Sequence, residues 1–235
     1  MINRFLARFE LFSLRHLPQF SISIRSRRNH RLREDRDFLD LMAELQQKSL
    51  IIQSLSEAYN LYRLCAQTRR VKGDIAELGV YKGGTARLLC QVKQNRELHL
   101  FDTFDAYGGM PAVRAGVDLH KPGDFKEAQI TEVKKLLSGF EGIRFYPGFF
   151  PETTQGVKNR SGAFAFVHLD VDIYQSTLDG LQYFYPRLSP GGMLVSHDYQ
   201  FLPCSGVRKA FDEFFVDKPE PVIELWDTQC LIVKG

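Results

Sequence analysis

Acidic and imidazole side chains follow two short apolar runs of this 235-residue sequence. The first run continues into "HLDVDIYQST", which places Asp170 and Asp172 two residues apart, and the second ends in "VSHDYQ", which places His197 beside Asp198. Carboxylates and an imidazole from neighbouring strand ends can bind a divalent cation. We therefore predict a metal or catalytic site that contains Asp170 and Asp198, and we expect Asp172 to cap the following helix.

A glycine-rich turn lies earlier in the chain, in "GDIAELGVYKGGTARLL". Glu77 ends an apolar run there, and Gly79, Gly83 and Gly84 precede a helical pattern, so the backbone can turn sharply and approach a ligand. Asp102 ends the next apolar run, where an acid can accept both hydroxyls of a ribose. The two features together favour an adenosine-containing ligand, whereas the G-x-x-x-G-G spacing makes a nicotinamide-dependent reductase the weaker alternative.

Short apolar runs alternate with amphipathic segments from residue 71 onward. This pattern predicts an α/β fold, a mainly parallel sheet with helices on both faces and antiparallel pairing only at the final pair of strands. Ligands of such sheets bind beyond the carboxyl ends of the strands. The predicted strands are Gly73–Leu78, Leu98–Phe101, Ile143–Pro147, Ala163–Leu169, Gly192–Ser196, Val222–Leu225 and Cys230–Val233. The predicted helices after the first strand are Thr85–Val92, Lys126–Leu137, Ser176–Tyr185 and Gly206–Phe215.

The charge of the chain is unevenly distributed, although its formal net value is only +3. Residues 1–36 contain nine arginines and three acids, which leaves 22 of the 31 basic and 25 of the 28 acidic residues for the mildly acidic remainder. The basic N-terminal arm is either an oligomer contact or an amphipathic segment that binds weakly to an anionic membrane surface. Nucleic-acid binding is not expected, because no recognition motif accompanies the charge.

The remaining composition indicates a single globular domain behind this arm. Helical spacing predicts helices over residues 37–70, and residues 71–235 form the main α/β domain. Four widely separated cysteines without a CxxC pair are typical of buried, reduced thiols in a cytoplasmic protein. The long segment from Ala106 to Phe125 is rich in glycine and proline, so we interpret it as a lid over the ligand cleft.

Six motifs, in order along the chain, resemble the macrocin O-methyltransferase family of S-adenosylmethionine-dependent enzymes. These motifs are "DIAELGVYKGGTARLL", "LFDTFDAYGGMP", "YPGFFPET", "HLDVDIYQSTLDGL", "LSPGGMLVSHDY" and "GVRKAFDEF". The resemblance implies a class I methyltransferase fold, a Rossmann-like sheet of seven strands whose last strand is antiparallel. It also implies S-adenosyl-L-methionine as cofactor, bound by Glu77, Gly79, Tyr81, Gly83, Thr85, Asp102 and Thr103.

The same resemblance implies a magnesium site formed by Asp170 and by two adjacent acids before a tyrosine. This sequence reads "HDY" at the second place, so His197 replaces the first of those acids whereas Asp198 is retained. An imidazole suits manganese, iron or zinc better than magnesium. His197 is therefore a third metal ligand, a general base or neither, and Asp170 is the other candidate for the catalytic residue that accepts the proton.

The expected activity is O-methylation of a hydroxyl on a sugar, a glycosylated natural product or a glycan, assisted by Mg²⁺ or Mn²⁺. Methyl transfer from a sulfonium is an in-line displacement, so the acceptor oxygen must be aligned and its proton removed. An inactive scaffold with the methyltransferase fold is the alternative, and the "HDY" departure is its main support. The expected partners are the small-molecule or glycan acceptor, a second copy of the chain and, through residues 1–36, a membrane surface.

Overall fold

The computed structural model describes residues 32, 34–111, 117–157 and 163–235. It groups the chain into two compact units, residues 1–39 and residues 40–235. Most of the basic arm lies outside the described residues, so its predicted contacts with a membrane or with a second copy stay predictions. No helix within the described part is long and apolar enough to cross a lipid bilayer.

Seven strands form one sheet, in the order β3-β2-β1-β4-β5-β7-β6. The strands are β1 (Asp74–Leu78), β2 (Leu98–Asp102), β3 (Ile143–Pro147), β4 (Phe164–Leu169), β5 (Leu188–Ser196), β6 (Ile223–Glu224) and β7 (Cys230–Val233). The first five pair in parallel, and β7 runs antiparallel to both β5 and β6. The predicted fold class is thereby confirmed, including the single antiparallel final strand.

Helices cover both faces of this sheet. They are α2 (Leu55–Gln67), α3 (Gly84–Val92), α4 (Ile130–Leu136), α5 (Tyr174–Phe184) and α6 (Ser205–Phe214), and α1 (Arg36–Gln47) precedes them in the chain. One core cluster joins the sheet to α5 and α6 through Leu181, Phe184 and Phe211, and the other joins it to α2, α3 and α4 through Leu61, Leu89 and Val133. Every residue of β4 is buried, as expected for a central parallel strand.

Two element boundaries differ from the sequence prediction by four residues, and the others agree within two. Helix α4 begins at Ile130 rather than Lys126, because Asp105 Oδ1 accepts the backbone N–H of Ile130 at 3.2 Å and so caps the helix there. Strand β5 begins at Leu188, four residues early, because the Pro-Gly-Gly segment continues the strand instead of ending it. The four cysteines are free and buried, as predicted.

Candidate functional site

The carboxyl ends of β1 and β4 meet at the point where the strand order reverses. Strands β2 and β3 extend the sheet from one side of β1, and β4, β5, β7 and β6 extend it from the other. The backbone N–H of Asp170 donates to the carbonyl oxygen of Leu78 at 2.8 Å. A Cβ added to Gly79 would lie only 1.7 Å from the carbonyl oxygen of Asp170, so only glycine permits this approach. The fold therefore brings the glycine turn and the first acid of "LDVD" together.

A cleft with a volume of about 100 Å³ opens at this reversal point. Its polar lining contains three of the predicted cofactor-binding residues, Gly79, Asp102 and Thr103, together with Asp170. Its apolar lining was not assigned from the sequence, although the motif "YPGFFPET" was available as a signal. That lining comprises Leu78, Phe101, Met110, Pro111, Phe125, Phe149, Phe150 and Val171.

Asp102 braces the glycine turn from the end of β2. Its Oδ2 accepts the backbone N–H groups of Val80 at 2.7 Å and Tyr81 at 2.9 Å, and its Oδ1 accepts the N–H of Phe104 at 2.6 Å. Burial raises the pKa of this carboxyl, and the three backbone donors oppose that rise. The side chain thus stabilises the turn while it lines the cleft.

The other predicted cofactor-binding residues lie behind or beside the cleft wall. Glu77 is fully buried, with its Oε1 2.8 Å from His168 Nδ1, and a hydrogen bond from Thr85 also acts on its carboxyl group. Burial raises the pKa of Glu77 to about 8 and lowers that of His168 to about 4, which favours a neutral pair. The Tyr81 hydroxyl donates to Glu127 at 2.7 Å, so this side chain reaches the loop after β2.

Gly83, the last of the predicted cofactor-binding residues, precedes α3 with a φ of +82°. A Cβ there would lie 2.8 Å from a side-chain carbon of Val133, so its lack of a side chain serves the packing of α4. Gly83 lies in the glycine turn, but its contacts indicate a role in helix packing rather than in lining the cleft.

Three carboxylates converge where β4 and β5 end. Oxygens of Asp170, Asp172 and Asp198 lie within 4.8 Å of one another, a spacing that allows them to hold a metal ion. The pKa values of Asp170 and Asp198 are both raised, first by burial and, for Asp198, next by the charge of Asp170. A bound cation would relieve this repulsion, and oxygen donors are the ligands of Mg²⁺ and Mn²⁺. The predicted Asp170–Asp198 pair is brought together, and the structure adds Asp172.

Asp172 does not cap α5, and the prediction of that role is wrong. The helix begins at Tyr174, whose backbone N–H donates to Asp118 Oδ1 at 2.9 Å, and Asp118 belongs to the loop between β2 and α4. A Cβ on Gly206 would lie 2.1 Å from the same Oδ1, so glycine at the start of α6 leaves the space that Asp118 occupies. Asp172 is free to join the carboxylate cluster as a result.

His197 turns one edge of its ring toward the helical segment before the sheet. Its Nε2 lies 3.6 Å from Oε1 of Glu57, a residue of α2 that is only 4% exposed. Its Nδ1 is buried and has no hydrogen-bond partner within the described residues. Ring nitrogens of His197 and His168 and an oxygen of Asp170 lie within 4.8 Å of one another. One ring nitrogen of His197 therefore lies beside Asp170.

Two residues that reach this site from the N-terminal side were missed by the sequence analysis. Gln53 Nε2 donates to Asp170 Oδ2 at 2.6 Å. Glu57 completes a capping box with Ser54 at the start of α2 and also accepts the Thr228 hydroxyl at 2.6 Å. The capping pattern of Glu57 was visible in "SLSE", but its contact with His197 depends on tertiary structure, and nothing local distinguishes Gln53.

The sheet order, the reversal-point cleft and the acid cluster define a protein with the class I methyltransferase fold. A solved structure, described as that of the O-methyltransferase NovP, matches 77% of this chain and 81% of its own chain with a TM-score of 0.64. Its sequence identity is 24%, so this likeness establishes the fold.

The chain belongs to the macrocin-O-methyltransferase (TylF) family, whose family model matches residues 53–230. It is 33% identical over 150 residues to the 8-demethyl-8-(2,3-dimethoxy-alpha-L-rhamnosyl)-tetracenomycin-C 4'-O-methyltransferase of Streptomyces olivaceus, over 57% of this chain and 56% of that protein. It is 29% identical over 157 residues to the demethyldecarbamoylnovobiocin O-methyltransferase of Streptomyces niveus, over 61% of this chain and 58% of that protein. The match thus spans little more than half the length of these relatives.

Proposed function

We propose that this protein is an S-adenosylmethionine-dependent O-methyltransferase that acts on a sugar hydroxyl of a glycosylated small molecule, with a divalent cation at the carboxylate cluster. The observation that carries the proposal is the meeting of the glycine turn and the acid cluster in one cleft at the reversal point of the sheet. Family membership and the name of the Streptomyces olivaceus relative, which specifies a rhamnosyl compound, support the reaction class.

The cofactor site follows from the lining of the cleft. Asp102 offers carboxylate oxygens where the fold places a ribose, and Gly79 lets the backbone approach the ligand closely. Phe149 and Phe150, which follow β3, supply aromatic surface for a planar base. Bound S-adenosylmethionine would supply an electrophilic methyl group on its sulfonium sulfur. Glu77 and Thr85 stabilise the turn from behind, since both are buried.

The metal site follows from the chemistry of the donor set. Asp170, Asp172 and Asp198 would hold the ion through oxygen atoms, as Mg²⁺ and Mn²⁺ prefer. A divalent ion there would supply positive charge that stabilises a developing negative charge on the acceptor oxygen. Gln53 fixes the position of Asp170 by donating to its Oδ2. A cation there would offset the repulsion between carboxylates that, after burial, raises the pKa of Asp198.

His197 serves as the proton acceptor in this proposal. Its Nε2 lies 3.6 Å from Glu57 Oε1 and 3.9 Å from Asp198 Oδ1, so the ring stands beside the carboxylate cluster, where it would receive the proton of the acceptor hydroxyl. The carboxylate cluster then needs no imidazole ligand, because Asp172 takes the place of the acid that His197 replaces. The loop between β2 and α4 excludes water from the cleft through Met110, Pro111 and Phe125.

The test combines calorimetry with a transfer assay. S-adenosylhomocysteine is titrated into the full chain with Mg²⁺, with Mn²⁺ and with chelator. Methyl transfer from labelled S-adenosylmethionine is measured on a panel of rhamnosylated aromatic compounds. We expect micromolar binding of S-adenosylhomocysteine and methyl transfer that requires the cation. The variants Asp170→Asn and Asp198→Asn should lose methyl transfer but still bind S-adenosylhomocysteine.

The matched control is Asp217→Asn, which changes an aspartate whose side chain is 74% exposed beyond α6. This variant should keep both binding and transfer. Full transfer by a folded Asp198→Asn variant would remove the metal site from the proposal. Absence of S-adenosylhomocysteine binding under all three conditions would instead establish the inactive scaffold.

A further inference from the structure

A second group of metal-ligating atoms lies beside the carboxylate cluster, where the loop after β2 meets the segment before α6. It consists of His120 from the loop, Asp172 from the end of β4 and Cys204, which immediately precedes α6. His120 Nε2 is 3.6 Å from Cys204 Sγ, and Asp172 Oδ1 is 3.9 Å from each of those two atoms. Imidazole, carboxylate and thiolate are the three ligand types that zinc binds in proteins.

The triangle of atoms has nearly the dimensions that one zinc ion imposes. Tetrahedral zinc with bonds of about 2.0 Å to nitrogen or oxygen and about 2.3 Å to sulfur separates its ligand atoms by about 3.3–3.6 Å. The distance of 3.6 Å between His120 Nε2 and Cys204 Sγ lies at the upper end of this range. The two distances of 3.9 Å from Asp172 Oδ1 to those atoms exceed the upper end by a few tenths of an ångström. A small rotation of the Asp172 carboxylate would therefore complete the site.

The histidine is already oriented for this role by a carboxylate behind it. Asp124 Oδ2 lies 3.2 Å from His120 Nδ1 and also accepts the backbone N–H of Lys121 at 2.9 Å. A metal-bound histidine almost always donates the N–H of its other ring nitrogen to such a carboxylate, which fixes the tautomer and raises the basicity of the ligand. Nε2 is consequently the nitrogen that faces Cys204 and Asp172.

The three ligands also differ in exposure in the way an open site requires. Cys204 is 1% exposed, whereas the side chains of His120 and Asp172 are 23% and 20% exposed. The charges that act most strongly on Cys204 are those of Asp198, Asp172 and Asp170, so the thiol lies in a strongly negative region. The negative charge of that region stabilises a bound cation. The exposed side of the site leaves a fourth coordination position for water or a ligand.

We propose that His120, Asp172 and Cys204 bind a zinc ion that ties the loop to the ends of β4 and α6, with a fourth position open to water. Binding displaces the thiol proton of Cys204 to solvent, and no oxidation state changes. Asp172 contributes one oxygen to this site and lies between it and the carboxylate cluster. The site does not depend on methyl transfer, and it would exist in an inactive scaffold as well.

Cobalt(II) is the probe for this site, because a cobalt–thiolate bond gives a charge-transfer band in the near ultraviolet that carboxylate and imidazole ligands do not give. The metal-free full chain is titrated with Co²⁺, and Zn²⁺ is then added to displace it. We expect the band to saturate at one equivalent and to disappear with one equivalent of Zn²⁺. Asp124→Asn should weaken Zn²⁺ binding by about tenfold or more, since it removes the partner of His120.

Variants separate this site from the carboxylate cluster. Cys204→Ser and His120→Ala should lose the band, whereas Cys90→Ser, a matched substitution of a buried cysteine in α3, should keep it. Asp198→Asn should also keep the band, because Asp198 belongs only to the carboxylate cluster. Absence of the band in the unmodified chain, or its persistence in a folded Cys204→Ser variant, would overturn the proposal. His120→Ala lies in a loop and provides the same test should Cys204→Ser not fold.

Discussion

Gly79→Ala should destabilise the protein far more than an ordinary glycine substitution in a turn. Gly79 has a φ of +90°, which costs a residue with a side chain about 1–2 kcal/mol. The added Cβ would also lie 1.7 Å from the carbonyl oxygen and 2.6 Å from the carbonyl carbon of Asp170, both backbone atoms of a central strand end. Forcing apart such closely packed groups costs about a further 1–3 kcal/mol. The expected loss is therefore about 2–5 kcal/mol of unfolding free energy.

The matched control is Gly108→Ala. Gly108 has a nearly equal φ of +80°, but a Cβ there would have no atom within 4 Å. Its substitution should cost only the backbone part, about 1–2 kcal/mol. Equilibrium urea denaturation of both variants, with the midpoint and the slope compared, isolates the contact between Gly79 and Asp170.

A second readout connects this contact to the cleft. Because the clash pushes the ends of β1 and β4 apart, Gly79→Ala should also weaken S-adenosylhomocysteine binding under conditions in which the variant is folded, whereas Gly108→Ala should change it little. The reasoning is refuted if the two variants lose the same unfolding free energy within about 0.5 kcal/mol.

Two further predictions concern the cluster and the aromatic wall. In chelator, the unfolding free energy should fall as the pH rises above about 4, because the raised pKa of Asp198 makes the folded state bind more protons than the unfolded state. Asp198→Asn should reduce this decline. Equal unfolding free energies of the unmodified chain at about pH 5 and about pH 8.5, measured by urea titration in chelator, would contradict the assignment. Phe149→Ala should weaken S-adenosylhomocysteine binding by about 2–10-fold through lost aromatic contact, measured by calorimetry; its side chain is 41% exposed, so stability should change little, and unchanged affinity would place the adenine elsewhere.

The arrangement of the fold could be predicted from the sequence alone. Alternation of apolar runs with amphipathic segments determines a parallel sheet between helical layers, because each strand buried on both faces must be apolar throughout, as β4 is. The positions of Gly79, Asp102, Asp170 and Asp198 at strand ends follow from the same pattern. Since carboxyl ends of parallel strands share one edge, the convergence of Gly79, Asp102 and Asp170 on one cleft was predictable too.

Only the tertiary structure decided the partners of these residues. It gave the cap of α5 to Asp118, a residue 56 positions away, and so placed Asp172 in the carboxylate cluster. It directed His197 toward Glu57 and Asp170 toward Gln53, contacts between segments separated by more than 100 residues. Local pattern reports which face of an element is buried, whereas a hydrogen bond between distant segments depends on the packing of whole elements, and no spacing along the chain encodes it.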